Sequence, residues 1–368
     1  MEAPPVSEKP PLVSVVMANF RGARWLEASM RSVLAQSHAN LELLVADDAS
    51  DDDSVTIAQG IADQDGRVRV LPSATNRGPA ATRNRALEIA RGDWIAIVDS
   101  DDLIHPDRLQ RLLDVARQTG ADLVADDLVH FGAGERRTLL QPLQLTQPMS
   151  LDTAQFMRSN GGDRSLPSYG YLKPLISRKA LGDRRYHTSL HIGEDFDLVM
   201  RMLIEGASFV VVPDPLYAYR RHASSISHRM TAERMASMLA AHRSLPRMPD
   251  AASAQAAVAV EKHLEQALRY ERLVLDIKAR RLRHVLPRLV EPAMLSRLIE
   301  SLRDRRQRKS AAADSSDVPL SLSCPPLPPA GQPWTQPPAG AAALIGAGAV
   351  SHTDLPDWAR WLDTAVRA

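Results

Sequence analysis

Apolar residues along the first third of the chain come in short, β-branched runs separated by stretches of helical spacing. Residues 12–17 (LVSVVM) contain one polar member, Ser14, and predict a buried strand. Residues 25–37 place Leu26, Met30, Val33 and Leu34 on one side of a helix. The alternation continues with a strand at 41–46, a helix at 55–62, a strand at 68–71 and a helix at 79–90 that Gly92 stops. A strand starting at Ile95, a helix at 106–119 and a strand at 121–125 complete the regular part. This pattern predicts an α/β fold with a mostly parallel sheet, flanking helices and right-handed crossovers.

The pattern then loosens. Residues 161–162 and 165–171 read as loop, 175–178 as a strand and 194–204 as a helix with Phe196, Val199, Met200 and Leu203 inward. A strand at 209–212 is followed by a predicted turn at Pro213-Asp214-Pro215 leading into 217–220. After about residue 225 come long Ala-, Leu- and Arg-rich helical segments at 258–277 and 279–308, read as a basic extension. The expected organisation is a flexible 1–11, a catalytic domain at 12–227 and the helical extension at 228–309. An Ala/Ser/Pro-rich linker at 310–345 and a terminal helix at 346–368, docking through Trp358 and Trp361, complete it.

Two strand ends carry the candidate chemistry. The run IAIV stops in Asp99-Ser100-Asp101-Asp102, and the strand at 41–46 stops in Asp47-Asp48. Clustered carboxylates repel and raise one another's pKa, so such a cluster makes sense around a hard divalent cation that bridges to phosphate. A solvated acidic turn explains one cluster. Two at equivalent strand ends point to one ligand crevice, because open α/β sheets bind ligands outside the carboxyl ends of their strands.

Composition narrows the classes. Apolar content of 44% and charged content of 24% describe an ordinary globular protein, and a net charge of +1 predicts no global affinity for nucleic acid. The single cysteine, Cys324, excludes an intrachain disulfide and a cysteine-rich metal site, which fits a reducing cytoplasm. Residues 1–11 lack a basic-then-apolar leader pattern, and the most apolar stretch, 341–350, is too short to span a bilayer. The expectation is a cytoplasmic protein with peripheral contact at the inner membrane's cytoplasmic face through its basic helices.

Five blocks then occur in a meaningful order: VSVVMANF at 13–20, ADDASDD at 46–52, NRGPAATRNRAL at 76–87, DSDD at 99–102 and GED at 193–195, with YRRHASSIS trailing at 219–227. With these blocks the chain resembles the inverting glycosyltransferases of family 2, which have the GT-A fold. The stretch GDWIAIVDSDDLIHPDRLQRLL at 92–113 is similar to exopolysaccharide glucosyltransferases of the succinoglycan type. One departure is visible. Ala18 stands where the family usually has proline, and Asn19-Phe20 replaces a Tyr-Asn order, which loosens a turn without touching chemistry.

The resemblance implies transfer of a hexose, glucose by the narrower similarity, from a UDP-sugar to a hydroxyl of a growing, lipid-linked saccharide. It assigns Asp48 to the uracil N–H, with the backbone at Ala18 and Phe20 lining the base and ribose pocket. Arg83, next to Asn84 and behind the permissive Gly78, is expected to reach the diphosphate. Asp99 would lie near the ribose, and Asp101 would bind Mg²⁺ or Mn²⁺ with Asp102 assisting or orienting, the residues alone not deciding which of Asp101 and Asp102 makes the direct bond. Of the pair Glu194-Asp195, Asp195 is the first choice as the base that deprotonates the acceptor and Glu194 the second. Arg220 is expected at phosphate and His222 at the metal or phosphate, although a lone histidine also suits a structural role. Tyr169, Tyr171 and Trp94 fit sugar stacking or core packing.

The alternatives are a nucleotide-sugar-dependent transferase acting on another surface glycan and two other classes. Haloacid-dehalogenase-type phosphatases also end a strand in DxD, but near the start of the chain and with Thr or Val where Leu103 stands here. A non-catalytic, basic binding module would rest on residues 262–309, which lack the interleaved aromatics of a single-strand binder.

Overall fold

The computed structural model describes residues 9–132, 138–163, 165–222, 230–281, 283 and 285. Its first part follows the hydrophobic pattern: β1 (Val13–Asn19), α1 (Ala23–Leu34), β2 (Leu41–Asp47), α2 (Ser54–Ala62), β3 (Val68–Leu71), α3 (Pro79–Ile89) and β4 (Trp94–Ile97). β1, β2, β3 and β4 pair in parallel. All of β2 is buried, as a strand covered on both faces requires.

The second part contains β5 (Leu103–Ile104), α4 (Arg108–Thr119), β6 (Leu123–Gly132), β7 (Met149–Leu151), α5 (Thr153–Arg158), β8 (Leu175–Ser177), α6 (Arg178–Leu181), α7 (Glu194–Ile204), β9 (Phe209–Arg221), α8 (Ala232–Arg243) and α9 (Ala251–Lys278). Among the described residues the strands form one sheet in the order β3-β2-β1-β4-β8-β6-β9-β5, with β7 against β9. Here the sheet becomes mixed. β8 runs antiparallel to β4 and β6, and β5 and β7 run antiparallel to β9.

Residues 213–215 do not turn. β9 runs on through Pro213 and Pro215, with register shifts against Asp126 and Asp127 of β6. Irregular pairing at this point tolerates residues that donate no N–H. Asp214 between the prolines is buried and accepts from Arg111 Nη2 at 3.2 Å. Arg178 opens α6 instead of closing β8, its helix capped by Ser177. β5, β7 and α5 were not predicted, being too short to show a period.

β1 lies at the sheet's switch point. The chain proceeds from β1 to β2 and β3 on one side, then returns through α3 to place β4 on the other. The crevice beyond the carboxyl ends of β1 and β4 is where such sheets bind ligands.

Both faces of the sheet are covered. Val16, Leu44 and Ile97 pack with α3, α5 and α7, whereas Val15, Met17 and Leu43 pack with α1, α2 and α4. α8 and α9 add a further layer to the first face, where Met235, Leu239, Ala256, Val260, Leu264 and Leu268 join the cluster containing Phe156 and Leu203. The sequence reading of 258–277 as basic is corrected. In α9, Glu261, Glu265, Glu271 and Asp276 balance Lys262, Arg269, Arg272 and Lys278. Among the described residues no helix is long and apolar enough to cross a membrane. The expected linker at 310–345 and terminal helix at 346–368 lie outside the described residues.

Candidate active site

The DSDD turn is fastened from beneath. Asp102 is 1% exposed; its Oδ1 accepts from the Arg220 N–H at 2.7 Å and its Oδ2 from the Tyr217 hydroxyl at 2.8 Å. Burial pushes the Asp102 carboxyl well above the ordinary carboxylate range, helped by Asp101 and Asp99. Arg220 donates from Nε to the Asp101 carbonyl at 2.7 Å, and its guanidinium lies 4.4 Å from the centre of the Phe131 ring. Asp102, expected beside the metal, and Arg220, expected at phosphate, both tie the turn to β9. The reason is that β9 extends beyond its expected end and brings Tyr217 and Arg220 under the turn.

Asp101 faces the crevice. Its Oδ2 is 2.8 Å from His222 Nε2, and the His222 ring packs on Trp25 with centroids 4.3 Å apart. Among the described residues no group of three metal-ligating side chains occurs, and Asp101 and His222 are the pair that lies together here. Their chemistry suits one. A carboxylate oxygen and an imidazole nitrogen at this spacing resemble adjacent ligands of an octahedral ion, which lie about 3 Å apart when bonds are about 2.1 Å long.

On the other side of the turn is a buried lattice of charges. Arg83, from the first turns of α3, reaches Glu194 Oε1 at 2.6 Å, Asp99 Oδ1 at 2.7 Å and Asp195 Oδ1 at 3.6 Å. Lys173 Nζ lies 2.7 Å from Asp195 Oδ2 and 2.9 Å from Asp99 Oδ2. Burial alone would push the Asp195 carboxyl up; the Arg83 guanidinium and then the Lys173 ammonium outweigh it and hold the group below its usual range, against Asp99. Burial is likewise overcome at Asp99 by Lys173 and Arg83. Arg83, expected at the diphosphate, is 5% exposed and engaged by three carboxylates.

The remaining candidates lie at the ends of β1 and β2. Asp48 is buried, and its two carboxylate oxygens accept from the N–H groups of Arg77 and Gly78, each at 2.8 Å. It thus holds the entrance to α3, where Gly78 takes φ +84°, a conformation that favours glycine. Ala18 is half-buried in β1 opposite Ala46, and Phe20 is 43% exposed at the mouth. Of the aromatic candidates, Tyr169 is buried in the cluster with α3, α5 and α7, Trp94 packs against the cluster on the opposite face of the sheet, and Tyr171 is 39% exposed and edge-on to Tyr219.

Sequence reasoning missed four participants. Lys173 precedes a proline in an apolar run and carries no motif signal. Tyr217 donates to Asp102 and accepts from the Asp99 N–H at 3.1 Å. Trp25, read only as helix, supports His222. Asn84 makes two bonds to one residue, donating to the Tyr186 carbonyl and accepting from the Tyr186 N–H, each at 2.9 Å.

Comparison with known proteins follows this geometry. Residues 14–181 match the family model described as Glycosyl transferase family 2. The succinoglycan biosynthesis protein ExoO of Rhizobium meliloti (strain 1021) is 34% identical over 241 residues, covering 65% of this chain and 69% of that protein. ExoU of the same organism is 34% identical over 225 residues, covering 59% of this chain and 65% of ExoU, just under two thirds of its length. Among solved structures, S. aureus TarS 1-349 in complex with UDP-GlcNAc superposes with a TM-score of 0.58 at 17% identity, covering 75% of this chain and 79% of that one. The mannosyltransferase PcManGT from Pyrobaculum calidifontis, in complex with GDP-Man and Mn²⁺, gives a TM-score of 0.51 at 14% identity, covering 79% and 83%. The fold is GT-A, and the chain belongs to glycosyl transferase family 2.

Proposed function

We propose that the protein transfers a hexose, glucose in the first instance, from a UDP-sugar to a hydroxyl of a growing, lipid-linked saccharide in exopolysaccharide assembly, with inversion at the anomeric carbon. Similarity to ExoO and ExoU supports the class of product, and the likeness to a fold that holds UDP-GlcNAc in TarS supports the class of donor. The observation that carries the reading is the joining of two acidic elements, the DSDD turn and the Glu194-Asp195 pair, by Arg83 and Lys173 at the switch point of the sheet.

The chemistry follows from these placements. Asp195, at the N-terminus of α7, accepts the proton of the acceptor hydroxyl as its oxygen bonds to the anomeric carbon and the bond to the diphosphate breaks. Held below its usual pKa range, the carboxylate is ionised and ready at neutral pH. Asp101 and His222 would hold Mg²⁺ or Mn²⁺, which when bound neutralises charge on the departing diphosphate. The family resemblance assigns Asp99 to the ribose side and Asp48 to the base; a base contact through Asp48 would use the lone pairs left by its two backbone bonds. The concentration of arginines after residue 279 supports peripheral contact with an anionic membrane surface.

A donor panel tests the reading. Full-length protein with Mn²⁺ and a saccharide acceptor is assayed for nucleotide release across UDP- and GDP-sugars. Release from UDP-glucose above the others supports the proposal; preference for another donor revises the sugar, and release from none overturns the transferase reading.

A further inference from the structure

Lys173 is a buried cation outside every motif that led to the family. It sits between a loop and β8, is 7% exposed, and has a proline on its carboxyl side that fixes the local backbone. Its backbone carbonyl accepts from Arg108 Nη2 at 2.5 Å, and Arg108 is in turn paired with Asp126 in the core. The stem is thereby anchored at its base to the sheet's interior, while the ammonium emerges among the acids of the site. A lysine that served only to fill space would not need two carboxylate partners from different strand and helix ends. A lysine placed only for donor phosphate would not spend its ammonium between Asp99 and Asp195.

We propose that Lys173 is a positioning residue for the transfer reaction: it bridges Asp99 of the donor-side turn to Asp195 of the acceptor-side helix and so fixes the base in a single orientation as a carboxylate. This rests on the reading of Asp195 as the base. The groups facing Asp195 are few and can each be named. Arg83 comes from α3, Lys173 from the segment before β8, Asp99 from the turn after β4, Glu194 from the same helix, and Tyr186 from the loop held by Asn84. The two cations oppose the nearby acids. Arg83 also neutralises Glu194, which leaves Lys173 as the cation shared between Asp99 and Asp195 alone.

Removal of the ammonium therefore acts on the base in a defined direction. In Lys173→Met the stem and volume are nearly retained, and two buried carboxylates face each other with Arg83 as their remaining partner. A proton on one of them relieves the repulsion, so Asp195 takes up a proton at higher pH. In Lys173→Arg a cation is kept and the shift is small.

The test is the pH titration of the Asp195 carboxyl by ¹³C NMR in the full-length protein, with its resonance assigned by loss in Asp195→Asn. Lys173→Met is expected to raise the midpoint by about one pH unit or more, the size seen when an opposite charge is lost at this range. Lys173→Arg stays near the parent. In parallel, the acid limb of kcat/KM for the acceptor moves up in Lys173→Met and not in Lys173→Arg, with KM for the donor nearly unchanged. If Lys173→Met does not fold, the same comparison is made in Lys173→Met/Asp99→Asn, which removes one acid together with the cation and is measured against Asp99→Asn. An Asp195 midpoint unmoved by loss of the ammonium overturns the proposal. Absence of nucleotide release from the parent protein with any donor overturns the transferase reading instead, and the NMR comparison still decides the role of Lys173.

Discussion

Arg83 Nη1 and Glu194 Oε1 lie 2.6 Å apart, 111 residues separated in sequence, and join the start of α3 to the start of α7 inside the protein. α3 begins beside the carboxyl ends of β1 and β2 and α7 opens with the predicted base, so one guanidinium fixes the spacing between them. Replacing Arg83 with methionine leaves Glu194, Asp99 and Asp195 short of a buried counter-charge. Breaking a buried pair by removing one partner costs about 3–5 kcal/mol. Urea unfolding at pH 7.5 is expected to show a loss of that size, and Arg83→Lys a smaller one because a single ammonium cannot reach three carboxylates.

Asp195→Asn keeps the volume and removes the proton acceptor. Turnover is expected to fall by roughly 10²–10⁴-fold, the usual contribution of a general base. Titration calorimetry with UDP should give an unchanged affinity, since the carboxylate serves the acceptor side. A loss of UDP affinity instead would place Asp195 in the donor pocket.

Asp101 and Asp102 are expected to separate cleanly. Asp101→Asn weakens Mn²⁺ binding in the presence of UDP, read by the electron paramagnetic resonance of free Mn²⁺, and abolishes most transfer. Asp102→Asn retains Mn²⁺ binding but lowers stability, because its side chain holds Arg220 and Tyr217 of β9. Equal Mn²⁺ affinity in Asp101→Asn and the parent would remove Asp101 from the metal.

Stability has a pH dependence that is independent of the site. Burial raises the Asp127 carboxyl to about 7, only partly offset by bonds from Thr138, Leu140 and Leu128. An unfolded aspartate titrates near 3.9, so between about pH 4 and 7 the folded state holds a proton that the unfolded state has lost. This group's contribution thus favours folding below about pH 4 and erodes as pH rises to about 7, where the penalty is complete. Asp127→Asn removes the penalty. The variant is expected to unfold at higher temperature than the parent at pH 8, by on the order of 4 kcal/mol in stability, with the gap closing towards pH 4.5.

The helices after residue 230 decide how membrane contact can be measured. Leu264 and Leu268 of α9 are buried in the main core, and burying such side chains stabilises by about 1.5–3 kcal/mol each. A chain ending at residue 230 is therefore expected to unfold or aggregate, whereas one ending at residue 281 retains α8 and α9. Co-sedimentation with anionic liposomes across a salt series is read by comparing full length with the 281-residue form. Salt-sensitive binding confined to full length supports contact through the later arginines, and equal behaviour removes it.

What could be read from residues alone depended on how local the signal was. β1 to β4 and α7 were legible because each has a hydrophobic period and a stop, and the DSDD and GED blocks because acids ending a strand or opening a helix stand out. The continuation of β9 was hidden by two prolines whose tolerance depends on a bulge with β6, a partner about 90 residues away. Likewise Asp101 and Asp102 are adjacent and chemically identical. Only the arrival of Tyr217 and Arg220 under the second tells them apart. Lys173 was invisible for the same reason: its two carboxylates come from distant segments.

The pairing of Asn84 with Tyr186 has one more consequence. Both bonds reach the main chain of residue 186, so the grip does not depend on which side chain stands there. The segment from Gly182 to Gly193 is thus pinned at its middle by α3 through the main chain, while the buried side chains of Tyr186 and Leu190 seat it in the core. Because the Tyr186 ring also lies 5.5 Å from the Arg83 guanidinium, a shift of this segment is transmitted to the cation that holds the acids at the head of α7.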